Sequence, residues 1–168
     1  MLDELLSSHG IAPLFLLIAA VIISYIDFRL GKIPDWLTLP GIVIGLLLTV
    51  LPESRELTDS LAGVVLGFSI LYVLAFAGEL VLKKPVMGGG DIKLAAMLGA
   101  FLGWNLLLLS FVLASFGALG FALGRRTLCS VPFNVPITFG PFLAWAAFVS
   151  YLFGEALIQL WLGLISLY

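Results

Sequence analysis

The chain has 168 residues, of which 62% are hydrophobic and only 11% charged, with a mean hydropathy of +1.21 and a formal net charge of −2. Soluble globular domains are about half apolar and about one-quarter charged, so the composition excludes an ordinary soluble domain. Apolar runs recur along the whole sequence with little polar sequence between them. We therefore expect a single membrane-embedded, polytopic, all-α domain over residues 1–168, surrounded by a lipid bilayer and without a nucleic-acid partner.

The first two apolar runs are residues 11–26 and 36–51. The ten residues before the first run contain two acids and no Lys or Arg, which argues against a cleavable signal peptide and predicts a retained helix. Pro34 and Pro40 lie at the start of the second run. Both runs come close to the ~20 residues that a helix needs to cross a bilayer.

The middle of the chain predicts three more helices. A third run, residues 61–82, follows a polar loop. Residues 92–104 are too few for a comfortable crossing, whereas residues 106–124 form a full one. A short helix and a full one, joined as a hairpin near Trp104-Asn105, is the economical interpretation of this stretch.

The last part of the chain predicts a loop and one further helix. Residues 125–139 contain two prolines and are predicted to be a loop. Residues 140–168 are apolar apart from Glu155 and Gln159. The sequence therefore predicts six transmembrane helices, or seven if Gly154-Glu155 divides the last.

The basic residues predict the orientation, because cytoplasmic loops are enriched in Lys and Arg. With six helices, seven of the eight basic residues fall on one side. These seven are Arg29, Lys32, Lys83, Lys84, Lys93, Arg125 and Arg126. The N-terminus is thus expected outside, and the ends of the helices beside these residues are expected at the cytoplasmic face.

Two aspartates lie where an apolar run meets a short loop with glycine, proline and basic residues. They are Asp27, after the first run, and Asp91, before the fourth. An acid at the edge of a membrane helix is costly and usually functional, so the pair predicts a two-carboxylate site. Each acid also has a structural interpretation: Asp27 could pair with Arg29 or Lys32, and Asp91 could cap its helix.

Two carboxylates in a partly desolvated pocket cannot both ionise easily, so the pair shares one proton over part of the pH range. The ionised member then takes a proton from a water that attacks a peptide carbonyl, while the protonated member donates to the developing oxyanion. This chemistry needs no cofactor or metal ion, and the single cysteine, Cys129, excludes a multi-cysteine zinc site. Asp35, after Pro34, is the main rival for a catalytic role, but its position predicts a helix cap.

Three segments carry a resemblance to a known family. Residues 25–40, YIDFRLGKIPDWLTLP, resemble the first-aspartate motif of bacterial type IV prepilin peptidases. Residues 87–94, MGGGDIKL, resemble their Gly-x-Gly-Asp motif, and residues 136–144, PITFGPFLA, are similar to the segment that opens their last helix. The segments occur in the order found in the family and span nearly the whole chain.

The resemblance implies that Asp27 and Asp91 form the catalytic dyad of an intramembrane aspartic endopeptidase, with Gly88 and Gly90 as the motif glycines. Lys93 and Pro34 belong to the same motifs as supporting residues. The implied substrates are prepilins and pseudopilins, which lose a basic leader at the cytoplasmic side of the bacterial inner membrane. Larger members add an N-terminal zinc and methyltransferase part, which this chain does not resemble, so we expect the peptidase reaction without methylation.

Other interpretations of the sequence stay open. A presenilin-like intramembrane protease shares Gly-x-Gly-Asp, although the short length and the proline motifs argue against it. A small transporter or assembly subunit would place its acids nearer the bilayer midplane. Several glycines could hold a substrate helix or pack the helices of the chain itself, and we favour the second use. They are Gly45, Gly63, Gly67, Gly99 and Gly103.

Overall fold

A computed structural model of the chain describes residues 8–51, 55–84, 87–129 and 138–165. Within these ranges it contains helices and no strands. The elements are α1 (Ser8–Leu30), α2 (Asp35–Leu48), α3 (Leu57–Leu82), α4 (Gly89–Cys129) and α5 (Gly140–Ile165). Four of them, all but α2, are long and apolar enough to cross a membrane. The predicted all-α, multi-pass membrane fold is confirmed, while the number of crossings and the orientation stay predictions.

The helix α4 is two helical segments, residues 89–102 and 104–129, that meet at Gly103. Gly103 has φ 67° and ψ −179°, a conformation open to glycine and unfavourable for other residues. Gly67 of α3 packs against the carbonyl of Ala95 in the first segment and lies close to Leu107 in the second. In one continuous helix those two residues would be about 18 Å apart, so the chain reverses at Gly103. The predicted hairpin is present, with its break one residue before Trp104.

The first segment of α4 lies at the centre of the bundle. Its residues from Leu94 to Leu102 are all buried, and α2 and α3 pack mainly against this helix. Gly63 of α3 faces Gly99 of α4 so closely that a Cβ on either residue would collide with the backbone of the other. Small residues allow such backbone approach between membrane helices. The predicted packing use of these glycines is therefore confirmed for this pair.

The outer surface of the bundle is apolar. Only 17% of the most apolar window of α3 is buried inside the molecule, and large side chains such as Val65, Phe76 and Val81 are exposed. A soluble protein does not expose contiguous apolar surface of this extent. These side chains are the surface that the acyl chains of a bilayer would contact.

Several predicted boundaries differ from the observed ones. The helix α1 continues past Ile26 to Leu30, which places Asp27 inside its last turns. The helix α4 runs to Cys129, so residues 125–129 are helical and the predicted loop over 125–139 was wrong there. The helix α5 is continuous across Gly154-Glu155, so the seventh helix is absent from the described residues. Apolarity locates a helix well, but it is a weak guide to the polar turns at its ends.

Candidate active site

Asp27 lies three residues before the end of α1 and is only 6% exposed. Gly31 ends the helix with φ 61°, and its N–H donates to the carbonyl of Asp27 at 2.9 Å. This left-handed glycine closes the helix one turn after the acid. Among the described residues Asp27 forms no ion pair, so the predicted alternative, a bridge to Arg29 or Lys32, is not present.

Asp91 lies in the first turn of α4, two residues after the helix begins at Gly89. Its N–H donates to the carbonyl of Gly88 at 3.1 Å. The alternative role as an N-cap was wrong, because the acid is already inside the helix. Its Oδ1 atom is buried and has no hydrogen-bond partner in the described part of the chain. Buried acceptors are nearly always paired, so this oxygen is an exception that calls for a ligand or a function.

The two carboxylates converge on Gly140, the first residue of α5. A Cβ atom at this position would lie 3.1 Å from Asp27 Oδ2 and 3.3 Å from Asp91 Oδ1. The two oxygens can therefore be no farther apart than the sum of these distances. Any side chain at residue 140 would occupy the space between the carboxylates and α5, so the glycine keeps that space open.

A short linker, residues 31–34, connects α1 to α2 and lies against the start of α4. Ile33 is 8% exposed, and a Cβ at Gly90 would approach its Cβ to 2.9 Å and its carbonyl oxygen to 3.2 Å. The Cδ1 atom of Ile33 also reaches to within 2.8 Å of a Cβ at Gly140. One linker side chain thus contacts the helix that carries Asp91 and the helix that begins at Gly140.

The other motif residues have distinct local roles. Pro34 is the N-cap residue of α2, with φ −75° and ψ 131°, and its carbonyl accepts hydrogen bonds from the N–H groups of Leu37 and Thr38. A Cβ at Gly88 would make an ordinary contact, 3.7 Å from Asp91 Oδ2, so the packing of the chain itself does not require this glycine. Gly90, by contrast, is required by the contact with Ile33.

Lys93 binds Asp35. Its Nζ atom lies 2.6 Å from Asp35 Oδ2, and both side chains are partly exposed, at 39% and 56%. The prediction that Asp35 caps α2 was wrong, because Pro34 occupies the cap position and no side-chain cap bond is formed. Sequence reasoning missed this pair because its members are 58 positions apart. It also missed Ile33, for which an apolar residue in a linker offers no signal.

An apolar groove of about 460 Å³ opens between α1, α4 and α5. Ser24 and Phe28 of α1, Leu113 of α4, and Pro141 and Trp145 of α5 are among its lining residues. Trp145 Nε1 donates to Ser24 Oγ at 3.1 Å, which ties α5 to α1.

No cluster of three or more His, Cys, Asp or Glu side chains that could hold a metal ion occurs among the described residues. The expectation that the site needs no metal or cofactor stays a prediction. Pro136, which opens the third motif, lies outside the described residues.

Comparisons with known proteins agree with the resemblance in the motifs. The model of the type IV leader peptidase family matches residues 14–123. Three relatives are each named prepilin leader peptidase/N-methyltransferase. The Aeromonas salmonicida protein is 36% identical over 92% of this chain and 53% of its own length. The Escherichia coli protein is 36% identical over 77% and 60%, and the Pseudomonas aeruginosa protein 34% over 90% and 52%.

No solved structure matches the chain. The chain spans about half the length of the curated relatives, so their names describe proteins with more sequence than this one. The family model nevertheless covers most of the chain, including Asp27, the linker and Asp91. The chain belongs to the type IV leader peptidase family.

Proposed function

We propose that this chain is an aspartic endopeptidase that removes the leader peptide from type IV prepilins and pseudopilins, with Asp27 and Asp91 as its catalytic dyad. The observation that carries the proposal is the approach of both carboxylates to one point at Gly140. Family membership supplies the substrate class, because the relatives are named for prepilin leader cleavage. Among the acids in the described part of the chain, Asp27 is the one with a buried side chain, and Asp91 has a buried carboxylate oxygen.

The chemistry follows from the two oxygens beside Gly140. One aspartate, in its ionised form, takes a proton from a water molecule as the water attacks the carbonyl carbon of the scissile peptide bond. The other, in its protonated form, donates a hydrogen bond to the carbonyl oxygen as negative charge develops there. Collapse of the tetrahedral species breaks the C–N bond, and the aspartate that took the proton from the water passes it to the leaving nitrogen. The partnerless Oδ1 of Asp91 is available for such a hydrogen bond.

We place the dyad at the cytoplasmic face of the bacterial inner membrane. Asp27 ends α1, Asp91 begins α4 and Gly140 begins α5, so these three helix ends share one end of the bundle. Arg29, Lys32 and Lys93 lie near this end along the chain, and the enrichment of basic residues marks the cytoplasmic side. A leader that stays in the cytoplasm would meet the dyad there.

The proposal covers only the peptidase part of the relatives' names. Methylation of the new N-terminus, which those names also include, is not proposed for this chain. That expectation rests on the motifs: the sequence resembles those of the peptidase and does not resemble the zinc and methyltransferase part. It stays a prediction.

The decisive experiment is cleavage of a prepilin by the purified chain and by two variants, Asp27→Asn and Asp91→Asn. Each substitution keeps the size of the side chain and removes the acid, and each is expected to lower the cleavage rate at least about 10²-fold. Asp59→Asn is the matched control, because Asp59 lies in the first turn of α3 near Gly103 and away from the dyad. Cleavage at the wild-type rate by either dyad variant would refute the assignment.

A further inference from the structure

The two helices that carry the aspartates both pack against α5, and their other packing partners differ. The helix α1, with Asp27, packs mainly against α5, whereas α4, with Asp91, packs against α2, α3 and α5. The relative position of the carboxylates therefore depends on α5, which contacts both helices, and on the contacts that join the linker to α4 at the end of the bundle where Asp27 lies. There the linker 31–34 follows α1 directly and leads into α2.

Two contacts attach this linker to α4. Ile33 packs against Gly90, one residue before Asp91. The carboxylate of Asp35, one residue after the linker, accepts a 2.6 Å charge-assisted hydrogen bond from Lys93, two residues after Asp91. The two contacts bracket Asp91 along α4, and both reach it from the segment that follows Asp27.

We propose that the Asp35–Lys93 ion pair is a positioning clamp that holds the linker on the first turns of α4 and so keeps Asp27 and Asp91 together. The inference rests on the proposed function for its catalytic consequence. Neither residue touches the dyad in the contacts described, so both act through position. The pair also gives a structural role to the acid directly after the linker, Asp35, and to the lysine two residues after Asp91, Lys93.

The partial exposure of the pair sets the size of the expected effect. An ion pair open to solvent shifts an equilibrium by up to about fivefold, because water screens most of the attraction. Breaking the clamp should therefore lower the fraction of molecules with an assembled dyad, and with it kcat, by up to about fivefold. The same exposure makes the clamp sensitive to salt, which weakens interactions between exposed charges.

A different role for Lys93 predicts a different pattern. If its charge acted directly on the carboxylates, removal of Asp35 would leave that charge in place and without its partner. Asp35→Asn and Lys93→Met would then change kcat in opposite directions. A negative charge at residue 93 would then be the most harmful change of all. A clamp predicts the same loss from either single variant and recovery when the charges are exchanged.

The test compares Asp35→Asn, Lys93→Met and the exchanged double variant Asp35→Lys/Lys93→Asp, with Lys84→Met as the control for loss of an exposed cation. We expect both single variants to lose up to about fivefold in kcat, with KM for a prepilin unchanged. The double variant should recover at least half of the lost rate; full recovery is not expected, because a lysine in the first turn of α2 opposes the helix dipole. High salt should lower kcat of the wild type and leave both single variants unchanged.

A second measurement does not depend on activity. In a Cys129→Ser background, Asp27→Cys and Asp91→Cys are joined by a short bifunctional thiol reagent, alone and combined with each clamp variant. We expect the cross-linking yield to fall in both single variants and to recover on charge exchange, with unchanged helix content. Unchanged yield in the single variants, or no recovery of rate and yield in the double variant, would overturn the clamp. If the wild type cleaves no prepilin, the proposed function fails and the cross-linking yield alone decides on the clamp.

Discussion

Ile33 and Gly90 are in direct backbone contact, although one lies in the linker after α1 and the other in the first turn of α4. A Cβ at residue 90 would come within 2.9 Å of the Ile33 Cβ, 3.2 Å of its carbonyl oxygen and 3.3 Å of its nitrogen. Because two of these neighbours are backbone atoms, the linker could accommodate a side chain only by moving as a unit. The contact connects the segment after Asp27 to the helix of Asp91.

Gly90→Ala is therefore expected to displace the linker and lower the cleavage rate by roughly 10- to 100-fold, since small errors in position cost a large share of catalysis. Gly89→Ala is the matched control, because a Cβ at this exposed position meets nothing within 4 Å. Gly89→Ala should keep the cleavage rate of the wild type. Cleavage rates of the two purified variants on one prepilin provide the measurement, and equal rates would contradict the role assigned to the contact.

Gly140→Ala is expected to impair the dyad itself. The new methyl group would lie within 3.1 and 3.3 Å of one oxygen on each aspartate, so it would displace the carboxylates or exclude a water between them. We expect a loss of cleavage of at least tenfold with little change in the unfolding midpoint. Gly120→Ala, at an exposed position of α4 with open space around it, is the control. A larger loss of stability than of activity would show that residue 140 serves packing instead.

The Gly63–Gly99 contact predicts an effect on stability. Gly63→Ala or Gly99→Ala would push a methyl group into the backbone of the facing helix, and overpacking of this kind costs about 1–3 kcal/mol. Gly124→Ala, with nothing within 4 Å of its Cβ, should be neutral or stabilising by up to about 1 kcal/mol. Unfolding of detergent-solubilised protein, followed by circular dichroism, measures the difference. If the three variants are equally stable, the close approach of α3 and α4 is not as described.

The predicted orientation is open to a labelling test. Glu56→Cys, beside the start of α3, and Lys84→Cys, beyond its end, occupy exposed positions at opposite ends of this helix. In a Cys129→Ser background, a membrane-impermeant thiol reagent added to intact spheroplasts should label position 56 and spare position 84 until the membrane is opened. The reverse pattern would place the dyad outside and contradict cleavage at the cytoplasmic face.

The sequence predicted the helices well because a bilayer imposes a simple local rule. Each crossing needs about 20 apolar residues with all backbone groups bonded internally, and such a run is visible without any tertiary information. The ends were less accurate: α1 continues to Leu30 and α4 to Cys129, since polar residues continue a helix as readily as they end one. The break between the two segments of α4 was located to within one residue, near Trp104.

The candidate site was predicted in part. Asp27 and Asp91 were predicted as site residues because an acid at a membrane boundary is energetically costly and because of the motifs around them. The structure brings their carboxylates to Gly140. Asp35 was assigned to a cap from its neighbours in sequence, yet its partner is Lys93. A local sequence pattern predicts contacts between residues that are close in the chain. It carries no information about an ion pair between two different helices.

By itself, the sequence determined the class of the protein, the number of apolar segments and the two acids worth examining, because hydropathy and charge are properties of single residues and short runs. Only the tertiary structure decided that Ile33 lies on Gly90, that both carboxylates approach Gly140, and that Lys93 pairs with Asp35. These relationships depend on how separate helices pack, and that packing is set by the combined fit of many side chains at once.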